Sequence, residues 1–101
     1  RVVYLHGRTF HDGGWFDASK GKPRIQVLRT PNGDWESVGT LDTYPETTAT
    51  DSRQIRPGEP FFLYLKSPLK VYGVRVIGTP AQGDNPAQNF SSCGDLQAYA
   101  E

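Results

Sequence analysis

Methionine is absent from this chain of 101 residues, cysteine occurs once, and neither sign of charge is in excess. Each absence excludes something. With 11 basic residues against 11 acidic ones, there is no electrostatic case for nucleic acid or for an anionic membrane surface. The charges are interspersed and form no long block. The lone Cys93 cannot close an internal disulfide, so the fold does not rest on a disulfide framework and the redox compartment stays open. Cys93 is expected to be a small buried hydrophobe. No apolar run is long enough to span a bilayer, and nothing resembles a signal peptide. A chain that starts at Arg1 with no methionine reads as processed, or as a piece excised from a larger protein. Catalytic motifs are missing too. The only histidines are His6 and His11. There is no Cys-x-x-Cys, no His-Glu-x-x-His, no Gly-x-Ser-x-Gly and no phosphate-binding glycine loop. The expectation is a protein that is not an enzyme.

What is present points to strands. Eleven glycines and eight prolines in short clusters punctuate the chain, which favours all-β over helical structure. The hydrophobic fraction is a low 36 %, so the 12 % of aromatic residues must carry much of the burial. Length fits one domain, residues 1–101, with a modest core. Strands are predicted at Arg1 to His6, Arg24 to Arg29, Trp35 to Val38, Pro60 to Leu65, Val71 to Gly78 and Asp95 to Tyr99. Between the second and third, Thr30-Pro31-Asn32-Gly33-Asp34 is a turn, because Asn-Gly tolerates positive φ. In the fourth, Phe61, Leu63 and Leu65 share one face. The fifth is the densest β-former run. Tyr72, Val74 and Val76 suit its buried face and Arg75 the other, which fits a strand in the middle of a sheet. Thr40 to Arg56 has no periodicity and reads as an excursion across one end of a sandwich. Trp35, after the turn, is expected to cap the core.

Two polar loops carry the residues a sugar site needs: a ring to stack on a pyranose face and fixed groups to read hydroxyls. The first supplies His11, Asp12, Trp15 and Phe16. The last supplies Asp84, Asn85, Gln88, Asn89 and Phe90. Each has a plainer reading. Trp15 is a platform or a core residue. Phe90 is a platform or a packed loop ring. His11 is a ligand group or a loop hydrogen-bond donor. Arg75 is a hydroxyl reader or an internal ion-pair partner. Arg8 and Tyr44 are candidate rim residues. Asp12, Asp84 and Asp95 show no EF-hand spacing and read as calcium ligands or as turn-capping carboxylates.

Three segments in order resemble a known family. Arg24-Ile-Gln-Val followed by Asn-Gly-Asp-Trp35-Glu-Ser-Val resembles the strand, turn, Trp, strand signature of discoidin domains, also called coagulation factor 5/8 type C domains. Val74-Arg75-Val76-Ile77-Gly78 resembles their penultimate strand. Ser91-Ser92-Cys93-Gly94-Asp95-Leu96-Gln97-Ala98-Tyr99 resembles their closing strand. The resemblance implies a jelly-roll β-sandwich of the galactose-binding-like kind, similar to family 32 carbohydrate-binding modules of glycoside hydrolases. It implies His11, Trp15 and Phe90 as site residues and Asp95 as a ligand of a structural Ca²⁺, no cofactor being required. Two departures stand out. The two or more strands and the Asp-Gly-x-x-x-x-Trp segment that usually open such domains have no counterpart before Arg1, and Asp95 stands where Glu is usual. Six predicted strands are few, so the expected sandwich is truncated at its N-terminus or completed by a segment before Arg1.

The resulting expectation is a non-catalytic carbohydrate-binding module, appended to a larger glycoside-hydrolase-type chain and secreted or held at the cell surface. Its partner is carbohydrate, with neither nucleic acid nor membrane expected. The alternatives are a structural accessory domain packed in a larger enzyme, and a protein or phospholipid recognition module.

Overall fold

The computed structural model describes residues 1–99 of the chain, and eight strands occur among them. They are β1 (Val2–His6), β2 (Phe16–Asp17), β3 (Arg24–Leu28), β4 (Trp35–Thr40), β5 (Pro60–Leu63), β6 (Gly73–Ile77), β7 (Thr79–Pro80) and β8 (Cys93–Ala98). No helix occurs among the described residues. Two three-stranded antiparallel sheets, ordered β5-β1-β8 and β4-β3-β6, lie face to face, and β2-β7 forms a small third ladder. The architecture is all-β and sandwich-like.

Parity along the central strands sets the core. In β3, Ile25 and Val27 point inward and are at most 1 % exposed, while Arg24, Gln26 and Leu28 face outward. Their register partners Val76 and Val74 on β6 share the inner face. From the other sheet Val2 and Tyr4 of β1, Phe61 of β5 and Leu96 of β8 meet them. Aromatic edges fill the middle: Tyr44 sits 4.9 Å from Phe61 and 6.0 Å from Phe16, which lies 5.8 Å from Tyr4. Such tilted contacts add to area burial.

The predicted hairpin stands as β3–β4, and Phe61 and Phe62 take the inner and outer faces as alternation requires. Several expectations are corrected. The Val71 to Gly78 run is not mid-sheet. It is shortened to β6 and sits at an edge, with β3 in the middle. Tyr72 lies before the strand begins and is 64 % exposed instead of buried. Trp35 does not cap the core. Paired with Leu28, it lies on the outer face, its ring against Gly73 and beneath the Arg75 guanidinium at 4.4 Å. Cys93 is exposed, because β8 is also an edge strand and Cys93 starts it.

Beyond Thr40, where β4 ends, the excursion to residue 56 contains no strand, yet Leu41, Tyr44, Thr47 and Ile55 are all buried. Thr47 donates its hydroxyl to the Phe16 carbonyl and accepts from the Ala18 amide. The Tyr44 hydroxyl accepts from the Phe16 amide at 2.8 Å. A loop that satisfies buried backbone groups in this way is a core element without periodicity. Tyr44 is therefore corrected from rim to core.

Candidate functional site

His11 and Asp12 occupy the tip of a tight turn. The Phe10 and Gly13 backbones bond each other in both directions, so the two residues between them project outward. The last loop comes up against this turn. Gly14 and Ser91 form a parallel bridge, the Gly14 amide donates to the Phe90 carbonyl at 2.9 Å, and the Asp84 amide donates to the His11 carbonyl at 2.9 Å. Gly83 makes the approach possible. Its φ is +59°, and a Cβ there would collide with the His11 carbonyl oxygen. The two loops that the sequence singles out are thus brought together.

At the tip, His11 Nδ1 lies 3.0 Å from each oxygen of Asp84. A carboxylate accepts only, so Nδ1 carries the proton and Nε2 faces water. The hydrogen bond and charge of Asp84, followed by the charge of Asp12, raise the His11 pKa above its ordinary value. Gln88 Nε2 donates to Asp12 at 2.8 Å. Beneath these pairs the Phe90 ring stands 2.9 Å from where a Gly13 Cβ would be, and the Phe10 ring lies 5.9 Å from it. Phe90 is half-buried, while Phe10 is 45 % exposed.

Phe10 also borders a shallow cleft of about 520 Å³ with Arg8, Pro57, Ser92 and Cys93. Ser92 Oγ accepts from the Arg8 amide at 2.6 Å and donates to the Arg8 carbonyl at 3.0 Å, which anchors that segment. His6 also borders the cleft and is fully buried. Thr9 Oγ1 gives its one hydrogen to the Ile55 carbonyl, so it must accept from His6 Nε2 at 2.8 Å. That makes His6 the neutral Nε2–H tautomer, with Nδ1 buried and without a hydrogen-bond partner among the described residues. Burial holds its pKa below the ordinary value, with Glu59 opposing.

Of the predicted site residues, His11, Asp12 and Phe90 are brought together, with Asp84 and Gln88 beside them. Asn85 lies in the same loop and serves it as a turn residue: its Oδ1 accepts from the Ala87 amide at 3.1 Å. Asn89 is exposed next to Phe90. Trp15 is corrected. At 2 % exposure it offers no stacking face, and its Nε1 donates inward to the Thr48 carbonyl at 2.8 Å. Arg75 is corrected as well. It belongs to the outer face of the second sheet, where its Nε donates to Gln26 Oε1 at 2.8 Å. Asp95 accepts from the Leu96 amide and from Gln97 Nε2, both at 2.9 Å. Among the described residues there is no group of three or more His, Cys, Asp or Glu residues that could hold a metal ion. Phe10 was missed. The signal was present: it is an aromatic in a polar glycine loop beside His11, the same argument that singled out Phe90.

Compared with known proteins, the chain matches no family model, and no curated protein or solved structure shows significant similarity to it.

Proposed function

We propose that the chain is a non-catalytic carbohydrate-binding module whose site is the loop end around Phe10. In this reading the fold is the reduced jelly-roll, galactose-binding-like sandwich that the three sequence segments resemble, and the module serves a larger glycoside-hydrolase-type chain outside the cell. The observation that carries the reading is an exposed ring in tilted contact with a half-buried neighbour and flanked by fixed polar pairs. Phe10 rests on Phe90, with His11–Asp84 at the turn tip, Asp12–Gln88 beside it and Arg8 at the rim. A ring supplies the apolar stacking face for a pyranose, and paired donors and acceptors suit hydroxyls, which both donate and accept. One ring and a shallow cleft leave little free energy after ordering costs, so the single-site Kd is roughly 0.1 to 1 mM.

The test is a glycan array probed with multivalent protein against Phe10→Ala and Asp84→Asn. Binding that Phe10→Ala abolishes while the fold stays intact supports the reading. A second reading has its own observation. Phe62 and Tyr64 stack 6.3 Å apart on the outside of β5 and its continuation, 38 % and 63 % exposed, an aromatic strip suited to packing against a larger chain. A folded multivalent protein that binds no glycan turns the assignment to this structural accessory role.

A further inference from the structure

The outer face of the second sheet is polar in one row and apolar in the next. Cross-strand partners share a face. The register therefore sets Ser37, Gln26 and Arg75 side by side across β4, β3 and β6, with Trp35 and Leu28 in the row beside them. The polar row is hydrogen-bonded from edge to edge. Arg75 Nε donates to Gln26 Oε1 at 2.8 Å, and Gln26 Nε2 donates to Ser37 Oγ at 3.1 Å. The direction is forced. A guanidinium only donates, so the Gln26 carbonyl oxygen faces Arg75 and its amide faces Ser37. The Arg75 guanidinium is also stacked 4.4 Å over the Trp35 ring. Hydrogen bond and stack together hold a long side chain whose ordering is otherwise costly.

What this row leaves open is hydrogen. The two terminal amino groups of Arg75 bond no described residue. Gln26 Oε1 and Ser37 Oγ already accept, so the second Gln26 amide hydrogen and the Ser37 hydroxyl hydrogen remain as donors. Arg24 is exposed on the same face, one diagonal step from Arg75, or about 7 to 8 Å along the backbone lattice. Neither arginine forms an ion pair with a described residue. No carboxylate stands in the rows of Arg24, Gln26 and Leu28, and Asp42, beyond the end of β4, is engaged by the Thr40 hydroxyl. A row of donors suits a group that accepts and does not donate. A carboxylate is such a group, and its two oxygens match the two free amino groups of a guanidinium end-on.

We propose that this sheet face is a second binding site, for an acidic oligosaccharide, with one uronate carboxylate on the Arg75 amino groups beside Ser37 and a neighbouring one on Arg24. The Leu28–Trp35 row favours a sugar over an acidic peptide. A uronate ring carries C–H groups next to its carboxylate, whereas a glutamate holds its charge on a flexible chain whose ordering costs affinity. The face shares no residue with the Phe10 loop end, so either site can fail without the other.

Side-chain N–H NMR of the whole chain tests it, with tetraglucuronate, cellotetraose (the same chain without carboxylates) and tetraglutamate titrated separately. Tetraglucuronate shifts Trp35 Nε1–H and Arg75 Nε–H in a saturable way. It leaves Trp15 unmoved, because that indole is buried on the Thr48 carbonyl. Its Kd lies about tenfold below those of the other two probes. Arg75→Gln raises the Kd about tenfold, and Arg75→Lys, which keeps the charge and loses the fork, raises it nearly as much. Arg24→Gln raises it about threefold. Ser37→Asp puts a carboxylate in the exposed row with Arg75 still in place and abolishes binding, which decides the matter should the Arg75 variants fail to fold. The proposal is overturned by an unshifted Trp35 up to about 10 mM tetraglucuronate, by cellotetraose or tetraglutamate binding as tightly, by Arg75→Lys binding like the parent chain, or by folded Ser37→Asp doing so.

Discussion

The two ends of this sandwich are built by different means. At the loop end, backbone meets backbone. Gly13, Gly14 and Gly83 sit where a side chain would strike a neighbouring ring or carbonyl, and all three have positive φ. At the other end, the connection from Tyr64 to Val71 has a side chain at every position and holds no glycine. It borders an open groove lined by Lys66, Leu69 and the half-buried Val74. Close approach of chains without a Cβ shuts one end and frees its tip for polar groups. Side-chain bulk keeps the other end apolar and open.

The strongest way to break this comparison is to add a methyl at the closed end. Gly83→Ala combines φ of +59° with a collision against the His11 carbonyl oxygen, and it should cost about 3 kcal/mol, a melting temperature lower by roughly 12 to 24 °C. Ser67→Ala in the open-end arch should stay within about 0.5 kcal/mol. Equal losses at the two ends would refute the distinction.

Between the ends, Tyr44→Phe tests the aromatic centre. It keeps the ring contacts but leaves the buried Phe16 amide without its acceptor, at a cost of about 1 to 3 kcal/mol in denaturant unfolding. Burial pushes the Tyr44 hydroxyl up to about 12, so in the folded state its tyrosinate absorbance should reach half its full size only near that pH, well above where a free tyrosine ionises.

The two histidines sharpen the comparison within the loop end. His6 is buried and neutral, and its folded pKa is depressed below 6.5. Its contribution to stability is whole above 6.5 and is lost as pH falls from there through the folded value. His11 is exposed, with a folded pKa raised above 6.5 by Asp84. Its contribution has the opposite sign: whole below 6.5 and lost as pH rises through the folded value. Ring-proton NMR should show the two titrating on opposite sides of 6.5, and Asp84→Asn should bring His11 down without moving His6. Titrations on the same side would contradict the burial difference.

The smallest effect concerns Cys93. It is exposed, but burial of its sulfur environment and the neighbouring Asp95 hold its thiol pKa up. Alkylation at pH 8 should be slower than that of free cysteine, because the thiolate is the nucleophile. A faster rate would mean an activated thiol.

Much of the strand content was legible because alternation is local. The β3–β4 hairpin follows from Arg24 to Leu28, the Asn32-Gly33 turn and Trp35, all within one short stretch. Sheet position is not local. The Val71 to Gly78 run looks like a centre because valine and isoleucine suit either a central or an edge strand, and only the pairing partners decide which it is. Tyr44 and Trp15 show the same limit for the site. Each is an aromatic in a polar neighbourhood, and each is buried because distant segments cover it: Thr48 takes the Trp15 Nε1, and Phe61 packs on Tyr44.

The sequence by itself determined that the chain would be all-β, where its clearest hairpin would fall, and which two loops carried polar and aromatic groups together. These follow from turn chemistry and period-two patterning, which act over a few residues. Only the tertiary structure decided that His11 would face Asp84, that Phe10 instead of Trp15 would be the exposed ring of the loop end, and that Val74 would sit half-buried on an edge strand. Those outcomes depend on contacts between residues far apart in the chain, such as the 73 positions that separate His11 from Asp84, and no local pattern encodes which of many such contacts a folded chain will make.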